Sequence, residues 1–171
     1  GATAAWYIHT KQPVRTGKIS MKDLRAAVTV AYDERGVPHI QADHEEDLYR
    51  ALGYVHAQDR LFQMEVVRRL ANGELAEILG PKLLDADRLF RTRGLRNYAR
   101  AYAAKMDMST PASHALLAYL DGVNQYQVMH PAPLEFDLLG IPKRDFTPED
   151  TIAVAGYLAY SFAVAFKTEP V

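Results

Sequence analysis

Between Thr151 and Phe166 the chain reads TIAVAGYLAYSFAVAF, with no Asp, Glu, Lys or Arg at any position. The preceding Thr147-Pro148-Glu149-Asp150 has the order of a helix start: a hydroxyl cap, proline at the first helical position, acids in the first turn. The spacing predicts a helix from Thr151 to about Phe166 that is apolar almost all round. Such a helix has no face to give to water, so it must be buried between layers or against another chain. Gly156, Ala159, Ala163 and Ala165 leave room along it for a close neighbour or a ligand. Whatever else the chain forms has to cover this segment.

The other elements do not supply an obvious cover. With 171 residues and 49% hydrophobic content the chain can build one sizeable core. Val28-Thr-Val-Ala-Tyr32 alternates like a strand, Asp33-Glu-Arg-Gly36 is turn chemistry with Gly36 suited to a positive φ, and Val37-Pro-His-Ile-Gln-Ala42 returns. Pro38 cannot donate to a ladder and belongs at a strand start or an edge. Two strands are marginal in water, so the hairpin is expected to join a larger sheet. His39 and His56 are read as hydrogen-bonded or packed structural histidines.

Asp43 and Glu46 have capping-box spacing, and a long helix is expected from about His44 to Ala71, ended by Asn72-Gly73. Its apolar stripe is read through Leu48, Leu52, Val55, Phe62 and Val66, with Asp59 interrupting it. A carboxylate on that line needs a partner, and Arg60, Arg68 and Arg69 are the nearest candidates in sequence. Gly53 inside the helix costs ~1 kcal/mol relative to alanine, which a closely approaching backbone would explain.

Further short helices are expected at Glu74–Leu79, Leu83–Phe90 and Leu95–Ala104. Arg88, Arg91, Arg93, Arg96 and Arg100 have Asp85 and Asp87 beside them and lack a glycine-rich loop, in a chain that is nearly neutral overall, so they read as a solvated or intersubunit salt-bridged face. Thr110-Pro111 starts another helix, ending near Met129. His130 to Pro142 reads as a proline-punctuated connector without secondary structure of its own. Residues 1–27 read as an extended arm in which Trp6 and Tyr7 could dock on a larger body. The net charge of −1 gives no case for nucleic acid or an anionic membrane surface. The absence of cysteine excludes disulfides, thiolate zinc sites and a cysteine nucleophile on this chain. No apolar run approaches a membrane span. No Ser/His/Asp set, His-x-x-x-His pair or phosphate loop is recognisable. The layout is that of half a body.

Asp33-Glu-Arg-Gly-Val-Pro-His-Ile40, Gly53-Tyr-Val-His-Ala-Gln-Asp-Arg-Leu-Phe-Gln-Met-Glu65, Arg68-Arg69, Gly73 and Ala76-Glu-Ile-Leu-Gly80 resemble the α subunit of the penicillin acylases. The resemblance runs from about Val28 to Glu169, strongest from Gly53 to Gly80. It implies an N-terminal-nucleophile hydrolase, cut from one precursor into α and β chains. In such enzymes the first residue of the β chain is the catalytic serine, with its own α-amino group as base. An amine near pKa ~8 can take a proton from a hydroxyl that is otherwise a poor nucleophile. The implied fold class is α+β: a mostly helical α chain, residues 28–171, completing an αββα sandwich with a β chain not present here. No catalytic residue is expected on this chain, and no organic cofactor. By the same resemblance Ala159, Phe162 and Ala163 line the acyl pocket, small and aromatic where the penicillin G enzymes carry longer methionine and arginine. Glu169 aligns with a calcium-binding glutamate that shares the ion with β-chain aspartates, and a carboxylate suits that hard cation.

The expected partners are the β subunit from the same precursor and a small-molecule acyl amide. The expected location is the periplasm or outside the cell, with room for an anchor upstream. The expected function is the α subunit of an amidase hydrolysing a penicillin side chain or similar acyl amide. An acyl-homoserine-lactone acylase of the same family, an inactive homologue, and a non-catalytic helical adaptor stand as alternatives.

Overall fold

The structure is a computed structural model, and it describes residues 6, 7 and 9–165. It contains a two-stranded sheet, β1 (Thr29–Tyr32) and β2 (Pro38–Gln41), followed by α1 (Glu45–Asn72), α2 (Ala76–Leu79), a 3₁₀ turn (Pro81–Leu83), α3 (Leu84–Arg93), α4 (Leu95–Ala103), α5 (Pro111–Met129), α6 (Leu134–Leu139) and α7 (Pro148–Ala165). The class is α+β and mostly helical. Contacts divide the chain into two compact units: residues up to Phe62 with Asp107–Phe146, and Gln63–Met106 with the residues from Thr147 on. Helix α1 contributes to both, and Arg60 within it leaves helical geometry at φ −139° and ψ 17°. Neither a proline nor a glycine marks that break.

In the first unit the hairpin is antiparallel, with Val30 opposite Ile40 and Ala31 opposite His39. Asp33 Oδ1 accepts from the amides of Arg35 (2.9 Å) and Val37 (2.8 Å), while Gly36 takes φ 76°. Pro38 opens β2, where its missing donor costs nothing. Helix α5 is capped by Thr110, whose side chain accepts from the Ser113 amide. The close approach anticipated at Gly53 is present: a Cβ there would lie 1.9 Å from the Tyr119 carbonyl oxygen. Gly122 of α5 answers it, since its Cβ would lie 1.9 Å from the Arg50 carbonyl oxygen. Arg50 Nε donates to Asp121 Oδ2 at 2.6 Å across the same crossing.

Several expectations are corrected in this unit. The first part of α1 buries Asp47, Arg50, Ala51, Tyr54, Val55, Ala57 and Leu61, whereas Leu52 of the expected stripe is exposed. The buried side keeps Val55 of that stripe but is rotated from it by about one residue, taking in Asp47 and Arg50, whose charges have partners. Asp59 pairs with Arg15 Nη2 at 3.0 Å, an arginine from the arm, instead of Arg60, Arg68 or Arg69. Glu46 faces Arg25 (3.2 Å) and His114 (3.6 Å), and Asp47 is the carboxylate that ties down the arm, accepting from the amides of Arg25 and Ala26. Burial raises the Asp47 carboxyl, and those two amides together with the charges of His44 and Arg50 offset it, leaving it below the usual carboxylate range. The connector after His130 contains helix α6, which buries Phe136 and ends at Gly140 in the left-handed conformation. Tyr7 of the arm donates to Asp137 at that helix, whereas Trp6 is 67% exposed.

In the second unit Asp87 of α3 is buried and its two oxygens accept from the amides of Leu75 (2.8 Å) and Ala76 (2.9 Å). These are donors that the start of α2 would otherwise leave without a partner. Gly73 turns the chain at φ 67°, and a Cβ there would meet Arg91 Cγ at 2.6 Å. The five arginines are exposed, as expected, but Arg91 Nε also donates to the Gly73 carbonyl (2.7 Å) and Arg96 Nη1 to buried Glu74 (2.7 Å). Helix α7 packs on α4 through small residues: Ala71, Ala99 and Ala153 form a fully buried cluster. Phe90 meets Tyr157 and Tyr160 edge to face at centroid distances of 5.4 and 5.9 Å.

Candidate functional site

Helix α7 starts on a polar node. Asp150 Oδ2 accepts from the Thr147 amide and hydroxyl, both at 3.0 Å, and the Asp150 amide returns to Thr147 Oγ1 at 3.3 Å. This is a capping box made with aspartate, and it satisfies donors at both ends of the first turn. The same carboxylate reaches α1: Asn72 Nδ2 donates to Oδ1 (3.3 Å), and Arg68 Nη1 lies 3.5 Å from Oδ2. Arg68 and Glu65 are fully buried and paired with each other, and Arg69 Nε donates to Glu65 Oε1 at 2.6 Å. Arg69 Nη1 goes on to Glu77 at 2.9 Å. Buried charges persist only when paired and hydrogen-bonded in this way.

The far end of α7 is different. Past Tyr160, whose ring lies 5.0 Å beneath the Arg93 guanidinium, the helix turns its side chains outward. Leu158, Phe162 and Val164 are 48%, 63% and 49% exposed, and Ala159 and Ala163 beside them are also exposed. The structure therefore brings Ala159, Phe162 and Ala163 onto one open apolar face, at spacings of three and four along a helix. Glu169 lies outside the described residues. An apolar face with small and aromatic side chains can hold a hydrocarbon or aryl group by burial, but contains nothing that transfers protons.

Four of the described histidines sit against phenols or carboxylates. His130 Nε2 and the Tyr54 hydroxyl are 2.5 Å apart, and the His130 ring stacks on Tyr126 at 4.6 Å. Burial pushes the Tyr54 phenol up to about 12, and burial together with Lys143 pushes the His130 imidazole down. His56 Nδ1 sits 2.6 Å from the Tyr119 hydroxyl, its imidazole lowered by burial and then by Arg60. His39 and His114 face Asp33 and Glu46. These imidazoles face phenols and carboxylates instead of a serine, and the described residues contain no group of three or more His, Asp or Glu that could hold a metal ion. No helix among them is long and apolar enough to cross a membrane.

The node at Asp150 was not visible in the sequence as a site. Its signal was present in two pieces: Glu65, Arg68, Arg69 and Asn72 at helical spacing, and an acid three residues after Thr147. Only the fold joins them.

Residues 27–171 match the family model described as penicillin amidase. The penicillin acylase 2 proenzyme of Pseudomonas sp. (strain SE83) is 43% identical over 143 residues, which is 83% of this chain and 18% of that protein. The acyl-homoserine lactone acylase QuiP of Pseudomonas aeruginosa is 35% identical over 159 residues, 92% of this chain and 18% of that protein. A solved structure of the thermostable penicillin G acylase from Alcaligenes faecalis aligns with a TM-score of 0.69 at 30% identity, over 84% of this chain and 76% of that one. The chain thus spans less than a fifth of the length of the curated relatives it matches.

Proposed function

The chain belongs to the penicillin amidase family, as its α-subunit region, and on that premise we propose that it is the non-nucleophile part of an amidase that cleaves an acyl amide into a carboxylic acid and an amine. The family match over residues 27–171 is the observation that carries this reading. The open apolar face of α7 fits it chemically, because Ala159, Phe162 and Ala163 would form one wall of an acyl pocket closed by a second chain. In this reading the nucleophile is a serine at the start of a β chain released from the same precursor by self-cleavage. The serine's own amine takes the hydroxyl proton during attack on the amide carbonyl, and the protonated amine returns it to the leaving group, so the amine departs and the acyl group stays as an ester on the serine. Water then attacks that ester, giving a proton to the same amine, which passes it to the serine oxygen as the carboxylic acid leaves. This chain would bind and orient the acyl group.

A calcium ion enters this reading only through Glu169. That carboxylate would supply one ligand, with the rest on the β chain, and the ion would be structural. Export to the periplasm or beyond belongs to the same reading. A second substrate class has its own support: the QuiP relative covers 92% of this chain. In that case the acyl group is the chain of a homoserine lactone.

The test is intact-mass analysis of the natively purified protein, followed by incubation with phenylacetyl, phenoxyacetyl and long-acyl amides. The expected result is a second chain beginning with serine and acid release from one of the substrates. A lone 19.2 kDa species that folds and hydrolyses none of them would overturn the reading and favour a helical adaptor.

A further inference from the structure

We propose that Asp150, held by buried Arg68, is a positioning residue that sets where the outer end of α7 lies and thereby which acyl groups are accepted; this rests on the reading of Phe162 as part of the pocket wall. The argument begins with the rest of the contact. Ala71, Ala99 and Ala153 form the buried seam between α7 and its neighbours, with Ile152, Val154 and Tyr157 packed against it, and a Cβ on Gly156 would meet Leu95 Cδ2 at 3.2 Å. The methyl groups at its centre interdigitate little and offer weak resistance to sliding or rotation about the helix axis, and the Phe90, Tyr157 and Tyr160 rings add packing without a directional bond.

The charged node does resist them. Asp150 receives Thr147 and Asn72 as hydrogen-bond donors and lies beside Arg68, which is paired with Glu65, itself held by the second arginine, Arg69. Charge-assisted hydrogen bonds are directional, which apolar contacts are not. A buried ion network is also a weak source of net stability, since apolar residues of the same volume often do as well. Its distinctive contribution here is geometric: it fixes register and axial rotation at the base of the helix.

Displacement at the base is magnified at the tip. Phe162 is twelve residues beyond Asp150, about 18 Å at the helical rise, so a tilt of about 5° moves it by about 1.5 Å. Past Tyr160 the described part of α7 presents only exposed side chains apart from half-buried Ser161, whose hydroxyl bonds back to Tyr157 within the helix. The last contacts before the tip are those of the Tyr160 ring with Phe90 and Arg93, and the node at the base sets the rotation at which that ring meets them. A large acyl group would feel this displacement and an acetyl group would not.

The experiment uses the complete two-chain enzyme with Asp150→Asn, Asp150→Ala and Phe162→Ala. The readout is the ratio of kcat/KM for the preferred large acyl amide to that for the acetyl amide of the same amine. Loss of folded or matured enzyme scales both constants and leaves the ratio unchanged. The expected ratio falls about tenfold in Asp150→Ala, the loss of one good apolar contact, mainly through KM. Asp150→Asn keeps one accepting oxygen, which serves Thr147 but not Asn72 as well, and falls less. If Asp150→Ala does not mature, the Asp150→Asn ratio decides alone. A ratio moved by Phe162→Ala but by neither Asp150 variant overturns this proposal and leaves the pocket wall standing. A ratio unmoved by Phe162→Ala overturns the pocket-wall reading, and this proposal with it.

Discussion

Replacing Gly53 with alanine places a methyl carbon 1.9 Å from the Tyr119 carbonyl oxygen, 2.8 Å from its carbonyl carbon and 3.1 Å from the Val123 nitrogen. All three are backbone atoms of α5, so no rotamer change can relieve the clash. Carbon contacts need about 3.5 Å, and the two helices must therefore separate by roughly 1.5 Å at the crossing. Overpacking of this kind costs about 3 kcal/mol at the upper end of its usual range. Alanine returns about 1 kcal/mol through its better helix propensity. The expected net loss for Gly53→Ala is therefore about 2 kcal/mol. Gly122→Ala, with the same 1.9 Å approach to the Arg50 carbonyl, should behave alike.

The double variant distinguishes this reasoning from a generic loss. Once the helices have separated for one methyl, the second enters the same gap and adds mostly its propensity gain. The pair should be at least as stable as either single variant, a coupling of about 3 kcal/mol. The assay is the unfolding midpoint of the mature protein and the three variants in urea, read at one denaturant slope. Single variants as stable as the parent would refute the close crossing. Additive losses in the pair would refute the shared gap.

Other outcomes follow from single contacts. Asp87→Ala removes the acceptor for two amides at the start of α2 and should cost about 2 kcal/mol, with amide exchange at Leu75 and Ala76 rising first; unchanged exchange there would contradict the assigned bonds. The His130 imidazole is held below its ordinary value, so the folded state binds fewer protons than the unfolded state. Its contribution to stability is present above the unfolded pKa of ~6.5 and is lost as pH falls through the lower folded value. His130→Gln should flatten the stability curve in that acid window, and an unchanged acid limb would assign it to other groups. The isolated chain should be poorly soluble or partly unfolded because Leu158, Phe162 and Val164 face water; a monomer that melts cooperatively would count against this.

What was legible in the sequence was mostly local. Gly36 and the caps at Thr110 and Thr147 are read from residues within a few positions of each other, where the physics of a turn or a helix start is self-contained. Gly53 announced a close neighbour but could not name Gly122. The buried side of α1 was misread because apolar periodicity counts only apolar residues. Asp47 in the first unit is buried against Arg25 and Ala26, Arg50 against Asp121, and Arg68 in the second unit against Asp150, partners that sequence distance hides. Helix α6 is hidden in the sequence because prolines surround it and read as breaks, whereas in the fold Pro133 and Gly140 bracket it as start and stop. The family resemblance, and not periodicity, pointed to Ala159, Phe162 and Ala163.

Helix α7 divides its labour along its length, and this has a consequence for how such a chain can diverge. At Asp150 and Thr147 each side chain serves several partners, so a substitution there must be matched by others. At Ala159, Phe162 and Ala163 the side chains are exposed among the described residues. Descendants can exchange those three one at a time, sampling new surfaces while the base of the helix continues to fold as before. Diversification of the tip is separated from maintenance of the fold within eighteen residues.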